Sequence, residues 1–546
     1  MEEEGLKLAV LVNWSVFLLG VLSLLMRFLR QIWLKPAMIR SVLSKQGIRG
    51  PRPSFLVGNV PEMQKIQSNI TSMITLQKQP SDVDDQQVQH NWDSCMFPYL
   101  QQWAREYGPV FLYSTGAKQH LYVSDPKLLR ELKLHNSLNL CRPTYLSKPL
   151  KPLLGNGLIV ANGHEWVYQR KLIAPEFYLD KVKGMVGLME ESTMALLETW
   201  ESQILESESG VAEMRMDQDL KTLSADIISR ACFGSSYSQG NQIFAKIAFL
   251  QDALSKPNML FGFLNFRFVT FFRSETDKKI RSMNKEVDDM LLKLVNDRRA
   301  QSKLGGVEKK DLLEMILESA ARDNSHNTDM PHYRRKTDRF ILDNCRNIYF
   351  AGSETTALTV SWTLMLLSLH PEWQERIRAE IVEVCGDHEL YHCLQDMDIV
   401  RKFKTLTMVI LESLRLYGPG VIAAREALTN MKLGDLDVPE GIHLWVYHPA
   451  LHRDTENWGA DANEFKPERF ANGVSESCKY PQAYMPFGFG TRLCIGQTFA
   501  MLQLKIVLSL ILSKFSFSLS PNYRHSPVYK MLLLPEHGIR LIVRRV

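Results

Sequence analysis

Three long apolar patterns dominate the chain. Leu8 to Met26 is almost continuously apolar, interrupted by little more than Asn13, Ser15 and Ser23, and is about as long as a helix must be to cross a bilayer. Arg339 to His370 carries helical periodicity and stops before Pro371; at ~1.5 Å per residue such a helix would cross most of a domain. From Gln497 to Phe515 the apolar positions Phe499, Leu502, Leu504, Val507, Leu510 and Leu512 recur at helical spacing, which predicts a further helix. The β-like runs are short. Val110 to Tyr113 and His120 to Val123 are separated by Gly116 and read as a hairpin, with Asp125-Pro126 opening a helix behind it. Met531 to Leu534 and Ile539 to Val543 flank Pro535 and Gly538 and read as another strand pair. Helical patterns run from Lys183 to about Ile341, broken by polar stretches at 206–210 and 302–307, and the polar, acidic Gln77 to Gln89 reads as a solvated loop. No internal repeat is visible. Many helices with a few small sheets predict an α-rich α+β architecture.

Composition changes this picture little. The chain has 546 residues, 45% hydrophobic and 23% charged, with no break in composition between its halves, so one large globular domain behind a short anchor is expected. The boundaries read as an anchor over residues 1–30, a basic and Pro/Gly-rich hinge over 31–60 containing Gly47-Ile48-Arg49-Gly50-Pro51-Arg52-Pro53, and the main domain over 61–546. Glu2, Glu3 and Glu4 precede the apolar run while Arg27, Arg30, Lys35 and Arg40 follow it, which places the following domain on the cytosolic side. The acidic start, with no small-residue cleavage site, argues against a removed signal peptide. A net charge of +5 without a long basic run excludes a nucleic-acid surface. The eight cysteines are scattered, with no C-x-x-C pair, as expected of a reducing compartment and not of a structural zinc site.

The candidate chemistry gathers at Pro486-Phe487-Gly488-Phe489-Gly490-Thr491-Arg492-Leu493-Cys494-Ile495-Gly496. This Gly-punctuated loop delivers Cys494 to the start of the last long helix, where the helix dipole and unpaired amides favour a thiolate and should lower its pKa. The alternative is a buried, inert cysteine beside a turn. Glycines permit close approach of a flat ligand, and Arg492 can meet an anion such as a carboxylate. Ala351-Gly352-Ser353-Glu354-Thr355-Thr356 is a weak spot in a good helix. Its small residues suit either close helix packing or the approach of a small ligand beside an acid and a hydroxyl. Trp166 and Arg170 lie one helical turn apart, and Glu412 and Arg415 share a helix face. His164, His448 and His452 are alternative metal ligands in principle and stay unassigned.

The pattern Phe-x-x-Gly-x-Arg-x-Cys-x-Gly, met at Phe487, Gly490, Arg492, Cys494 and Gly496, resembles the haem-ligating loop of the cytochrome P-450 superfamily. The resemblance covers nearly the whole chain and implies that family's fold, mostly helical with small sheets behind an N-terminal transmembrane helix. It implies haem b with Cys494 as axial thiolate, and Trp166, Arg170, Arg425 and Arg492 toward the haem propionates. Ala351 to Thr356 looks like the oxygen-activating motif, with Glu354 and Thr355 on its acid and threonine positions. Glu412, Arg415 and, in Phe465-Lys466-Pro467-Glu468-Arg469-Phe470, Arg469 match a buried charge triad. Leu416-Tyr417-Gly418-Pro419-Gly420 departs from the more usual Tyr-Pro-Pro, which puts the reach of Val421 and Ile422 into the pocket in doubt.

What the resemblance implies functionally is monooxygenation, hydroxylation or epoxidation, in the haem-thiolate catalytic domain of a microsomal plant enzyme on the endoplasmic reticulum. A separate NADPH-cytochrome P-450 reductase would supply electrons, with cytochrome b5 as an optional second donor, since the chain has no G-x-G-x-x-G signature. The layout is most similar to the branch that oxidises gibberellin-type diterpenoid acids; brassinosteroids and cytokinins are the alternative substrates. A haem-thiolate isomerase or dehydratase, or a haem sensor without turnover, is disfavoured by the complete Glu354–Thr355 pair.

Overall fold

The computed structural model describes residues 2–77, 88–234, 237–254, 275–303, 312–323, 331–386 and 388–546. The expected loop at Gln77 to Gln89 and the polar break at 302–307 fall largely outside them.

The chain begins with helix α1 (Glu2–Leu29), which passes through one π-helical turn, Arg30–Leu34, directly into α2 (Lys35–Lys45). Residues 11–31 are exposed throughout, and 35 consecutive residues, Leu11–Lys45, form a helix apolar enough to cross a membrane. The helix therefore does not end near residue 30, because nothing in Arg30 to Lys35 breaks it. A turn follows at Gly47, whose φ is +83°. The Gly50 stretch, expected as a stiff hinge, is pinned to the sheet: Leu112 N–H donates to Arg49 O at 2.8 Å, and a Cβ at Gly50 would fall 1.8 Å from Leu112 O.

The main sheet holds β1 (Val110–Thr115), β2 (Lys118–Val123) and β3 (Leu140–Cys141), joined later by β5 (Ile422–Ala427) and β8 (Ile442–Tyr447) in the order β1-β2-β8-β5-β3. The expected hairpin is present, turning at Gly116 with φ +59°. The Asp125 carboxylate caps the next helix by accepting from Leu128 N–H at 2.9 Å. Helix α3 (Gly163–Ile173) follows, then β4 (Val211–Arg215) and α4 (Met216–Phe233).

Helix α5 (Pro331–Leu369) has 39 residues, roughly 58 Å at helical rise. It packs lengthwise on α4, and a Cβ at Gly352 would sit 2.5 Å from Ile228 Cγ1, so the glycine permits that approach. Trp362 of α5 stacks on Tyr417, at the end of α6 (Lys404–Tyr417), with ring centroids 4.6 Å apart. The hairpin β6 (Met431–Leu433) and β7 (Leu436–Val438) precedes β8.

Helix α7 (Gln497–Lys514) begins at the residue expected and leads into β9 (Phe515–Leu519). The last strands correct the reading of the sequence. β11 (Leu532–Pro535) pairs with β10 (Pro527–Lys530), whereas β12 (Arg540–Arg545) lies between β4 and β9. The two runs are strands but not partners, because the hairpin turns before β11, at Met531 with φ +66°, and not at Gly538.

Glu412 and Arg415 are fully buried and joined by two 2.7 Å bonds. Arg415 also donates to His452 O and Ala462 O at 2.6 Å and to Glu464 O at 3.0 Å. Arg469 stands 3.6 Å from Glu412 and donates to Trp458 O at 2.8 Å. The triad thus fastens α6 to the irregular 448–470 segment, which supports the cysteine loop from behind.

Candidate active site

The cysteine loop is made by its glycines. Gly488 N–H donates to Met485 O at 3.0 Å, Leu493 N–H to Gly490 O at 3.1 Å and Cys494 N–H to Phe487 O at 3.0 Å. Gly488 and Gly490 have φ of +81° and +61°, open to glycine at little cost. His452 fixes the loop's base by accepting from Met485 N–H at 3.1 Å while its other nitrogen meets Arg415 O. Its ring nitrogens are therefore engaged by backbone. Gly496 is the N-cap of α7, and a Cβ there would lie 3.9 Å from Cys494 Sγ.

Cys494 opens onto a cavity of about 2000 Å³. Burial pushes its thiol up from the ordinary range; the N–H of Gly496 and the charge of Arg170 pull the other way. The expected lowering by the helix start is outweighed, because desolvation of the anion exceeds what those groups return.

Four of the arginines lining the same cavity stand close to one another: Arg142, Arg170, Arg425 and Arg492. Arg170 and Arg492 lie over the ring of Trp166, at 5.5 and 4.3 Å, and Arg492 donates to Asn162 Oδ1 at 2.7 Å. Arg425 lies 4.7 Å over Phe489. Burial, with Arg492 and Arg142 adding to it, pushes Arg425 down to about 9. Arg492 falls to about 10, mainly by burial and then against Arg142 and Arg170. Arg142 Nε is buried with no acceptor among the described residues. Among the described residues, no carboxylate offsets any of the four. Like charges held together in low dielectric call for a multiply charged anion. Sequence reasoning missed Arg142, which sits in Cys141-Arg142-Pro143 ahead of the helix Thr144–Leu154 with no motif of its own.

Helix α5 contributes Ala351, Gly352, Thr355 and Thr356 to the cavity wall. Thr355 Oγ1 donates to Ala351 O at 2.7 Å. The structure separates the two motif residues. Glu354, one position earlier and so about 100° around the helix, is buried on the side of α4, where it pairs with Lys221. Val421 and Ile422 both line the cavity, which settles their reach. Gly418 closes tightly after α6, since a Cβ there would meet Leu414 O at 2.5 Å. His448 also lines the cavity with Nδ1 on Gly420 O at 2.8 Å, whereas His164 does not.

These residues fit the haem that the resemblance implies. The set comprises a cavity-facing thiol over a glycine, an arginine cluster with no carboxylate partner among the described residues, which matches two carboxylates, aromatic rings beneath those arginines, and a wall of small residues. The comparisons agree. The cytochrome P-450 family model matches residues 86–543. Cytochrome P-450 714A2 of Arabidopsis thaliana is 44% identical over 96% of this chain and 97% of its own length. Cytochrome P-450 714C2 of Oryza sativa is 44% identical over 94% of both chains, and 714B3 of Zea mays is 40% identical over 100% of this chain. With its family model, its full-length relatives and the donor set of its cavity in accord, the chain belongs to the cytochrome P-450 family of monooxygenases, whose cofactor is haem held by an axial cysteine thiolate.

Proposed function

We propose that the protein is a membrane-anchored monooxygenase of gibberellin-type diterpenoid acids, with Cys494 as the axial thiolate. The observation that carries the haem assignment is the Cys494 thiol opening onto the cavity that holds the arginine cluster. Arg142, Arg170, Arg425 and Arg492 would hold the propionates, and Trp166 and Phe489 support the guanidinium planes from behind. Phe487 and Gly496 keep the loop in register beside the sulfur. Bound haem supplies activation of dioxygen, one atom of which enters the substrate while the other leaves as water.

The chain's own contribution is to exclude water and deliver protons. Thr355 Oγ1 holds a proton at the cavity wall. Glu354, paired with the partly exposed Lys221, is the group through which protons cross from solvent to that helix. Electrons arrive from NADPH through a separate reductase, with cytochrome b5 as a second donor. The arrangement is that of the endoplasmic reticulum, with residues 61–546 as the catalytic domain in the cytosol behind the 1–30 anchor and its basic linker. The gibberellin assignment rests on the likeness of the hinge, the Leu416 to Glu426 segment and the layout to that plant branch. Brassinosteroids and cytokinins are the comparison substrates.

The test has two arms. Reduced, carbon monoxide-bound protein should give the red-shifted Soret band of thiolate ligation, and Cys494→Ala should lose it; a mutant that keeps the band overturns the ligand. Microsomes supplied with reductase, NADPH and a hormone panel should oxidise a gibberellin in preference to brassinosteroids or cytokinins. Oxidation of another class alone overturns the substrate reading.

A further inference from the structure

The cavity carries a second cationic position. Arg524 lines it from the 521–526 segment, outside the four-arginine cluster, and no described carboxylate pairs with it. The segment around it is fixed. Tyr523, 2% exposed, bonds His525 Nδ1 at 2.8 Å, and His525 Nε2 meets Tyr417 Oη at 3.2 Å. Tyr417 Oη is in turn 2.7 Å from His90 Nδ1. Ser526 Oγ donates to Glu536 at 2.6 Å. Glu536 is the carboxylate on this wall, engaged by Ser526 and 3.8 Å from His537. Residues on both sides of the exposed Arg524 are thus tied down while its guanidinium has no partner among the described residues, so little backbone ordering remains to be lost when an anion arrives.

Apolar side chains line the same cavity. Val421, Ile422, Leu532 and Met531 are among them, the last held at φ +66°. A ligand filling this space presents an apolar skeleton to those side chains and one negative group to Arg524. We propose that Arg524 is the specificity-determining cation of the substrate site, receiving the carboxylate of an otherwise apolar acid. This deepens the proposed function and rests on it for the skeleton, not for the charge. A guanidinium takes a carboxylate through two parallel N–H···O bonds, which an ester cannot accept with the same strength.

The test uses the full-length holoenzyme in detergent and follows the Soret shift on substrate binding, with no turnover required. The probes are two matched pairs: a gibberellin free acid with its methyl ester, and an 18-carbon fatty acid with its methyl ester. At least one acid should bind about tenfold or more tightly than its ester, the size expected of a charge-assisted pair, with the advantage shrinking as salt rises. Arg524→Gln should abolish the preference and leave the ester's affinity unchanged, while Arg524→Lys should restore part of it. An acid preference seen only in the fatty acid pair and lost in Arg524→Gln upholds the arginine and removes the gibberellin reading. Equal binding of acid and ester in both pairs, or a preference that survives Arg524→Gln, overturns the proposal.

Discussion

Replacing Arg415 by methionine removes the centre of the buried triad while roughly keeping its volume. The guanidinium makes five bonds: two to Glu412 at 2.7 Å, two to carbonyls at 2.6 Å and one at 3.0 Å. Without it, Glu412 keeps, among the described residues, Lys466 N–H at 2.8 Å and Arg469 at 3.6 Å while remaining wholly out of water. Breaking a buried pair from one side costs about 3–5 kcal/mol. Three carbonyls lose their donor as well, so the upper end, about 5 kcal/mol, is expected here. Glu412→Met should cost nearer 3 kcal/mol, because Arg415 keeps its carbonyl bonds. The double replacement leaves no uncompensated charge and should fall short of the sum of the single costs by about 2 kcal/mol or more. Urea unfolding of the purified chain, followed by tryptophan fluorescence and by loss of the haem band, measures all three. Additive single and double values, or an Arg415→Met within about 1 kcal/mol of the parent, would refute the reasoning.

Other outcomes follow from the same geometry. Thr355→Ala should keep fold and haem content but lower product per NADPH roughly a hundredfold, with peroxide released in its place; unchanged coupling would return Thr355 to a packing role. Lys221→Met should slow turnover as Glu354→Gln does and add nothing to it, which kcat values for the single and double variants decide. Gly352→Val should cost about 1–3 kcal/mol by forcing α4 and α5 apart, read in the same urea titration. Deleting the residues before Arg27 should release much of the protein from sedimenting membranes, and full-length protein that washes off in high salt would count against the anchor.

Much of this was legible in the chain because the chemistry is local. The cysteine loop, the hairpin at Gly116 and the start of α7 each depend on residues within a few positions of one another. Helix α5 announced itself by period, and Gly352 by being a poor helix residue in the middle of one. What escaped was decided by partners distant in sequence. Arg142 acquires its role only when the fold brings Arg425 and Arg492 beside it. Glu354 and Thr355 are neighbours in the chain, but a helix turns them onto different faces, and the identity of α4 as the neighbour carrying Lys221 was not in the motif. The final strands were recognisable as strands, yet β12 chose β4 and β9, some 325 and 25 positions away, over the run next to it. The raised thiol of Cys494 follows from its place at the wall of an interior cavity, which no local pattern records.

The unbroken passage from α1 into α2 bears on the proposed membrane anchor. Ile39 and Leu43 of α2 are buried against the main sheet's cluster, Arg40 donates to Gln119 at 2.7 Å and Ser114 at 3.0 Å, and Lys35 meets Glu440 at 2.9 Å. The proposed anchor is therefore a mast stepped into the hull, not a mooring line. The tilt of such an anchor in a bilayer and the orientation of the sheet domain become one degree of freedom, so a change in bilayer thickness that leans the helix would also turn the domain that carries the cavity.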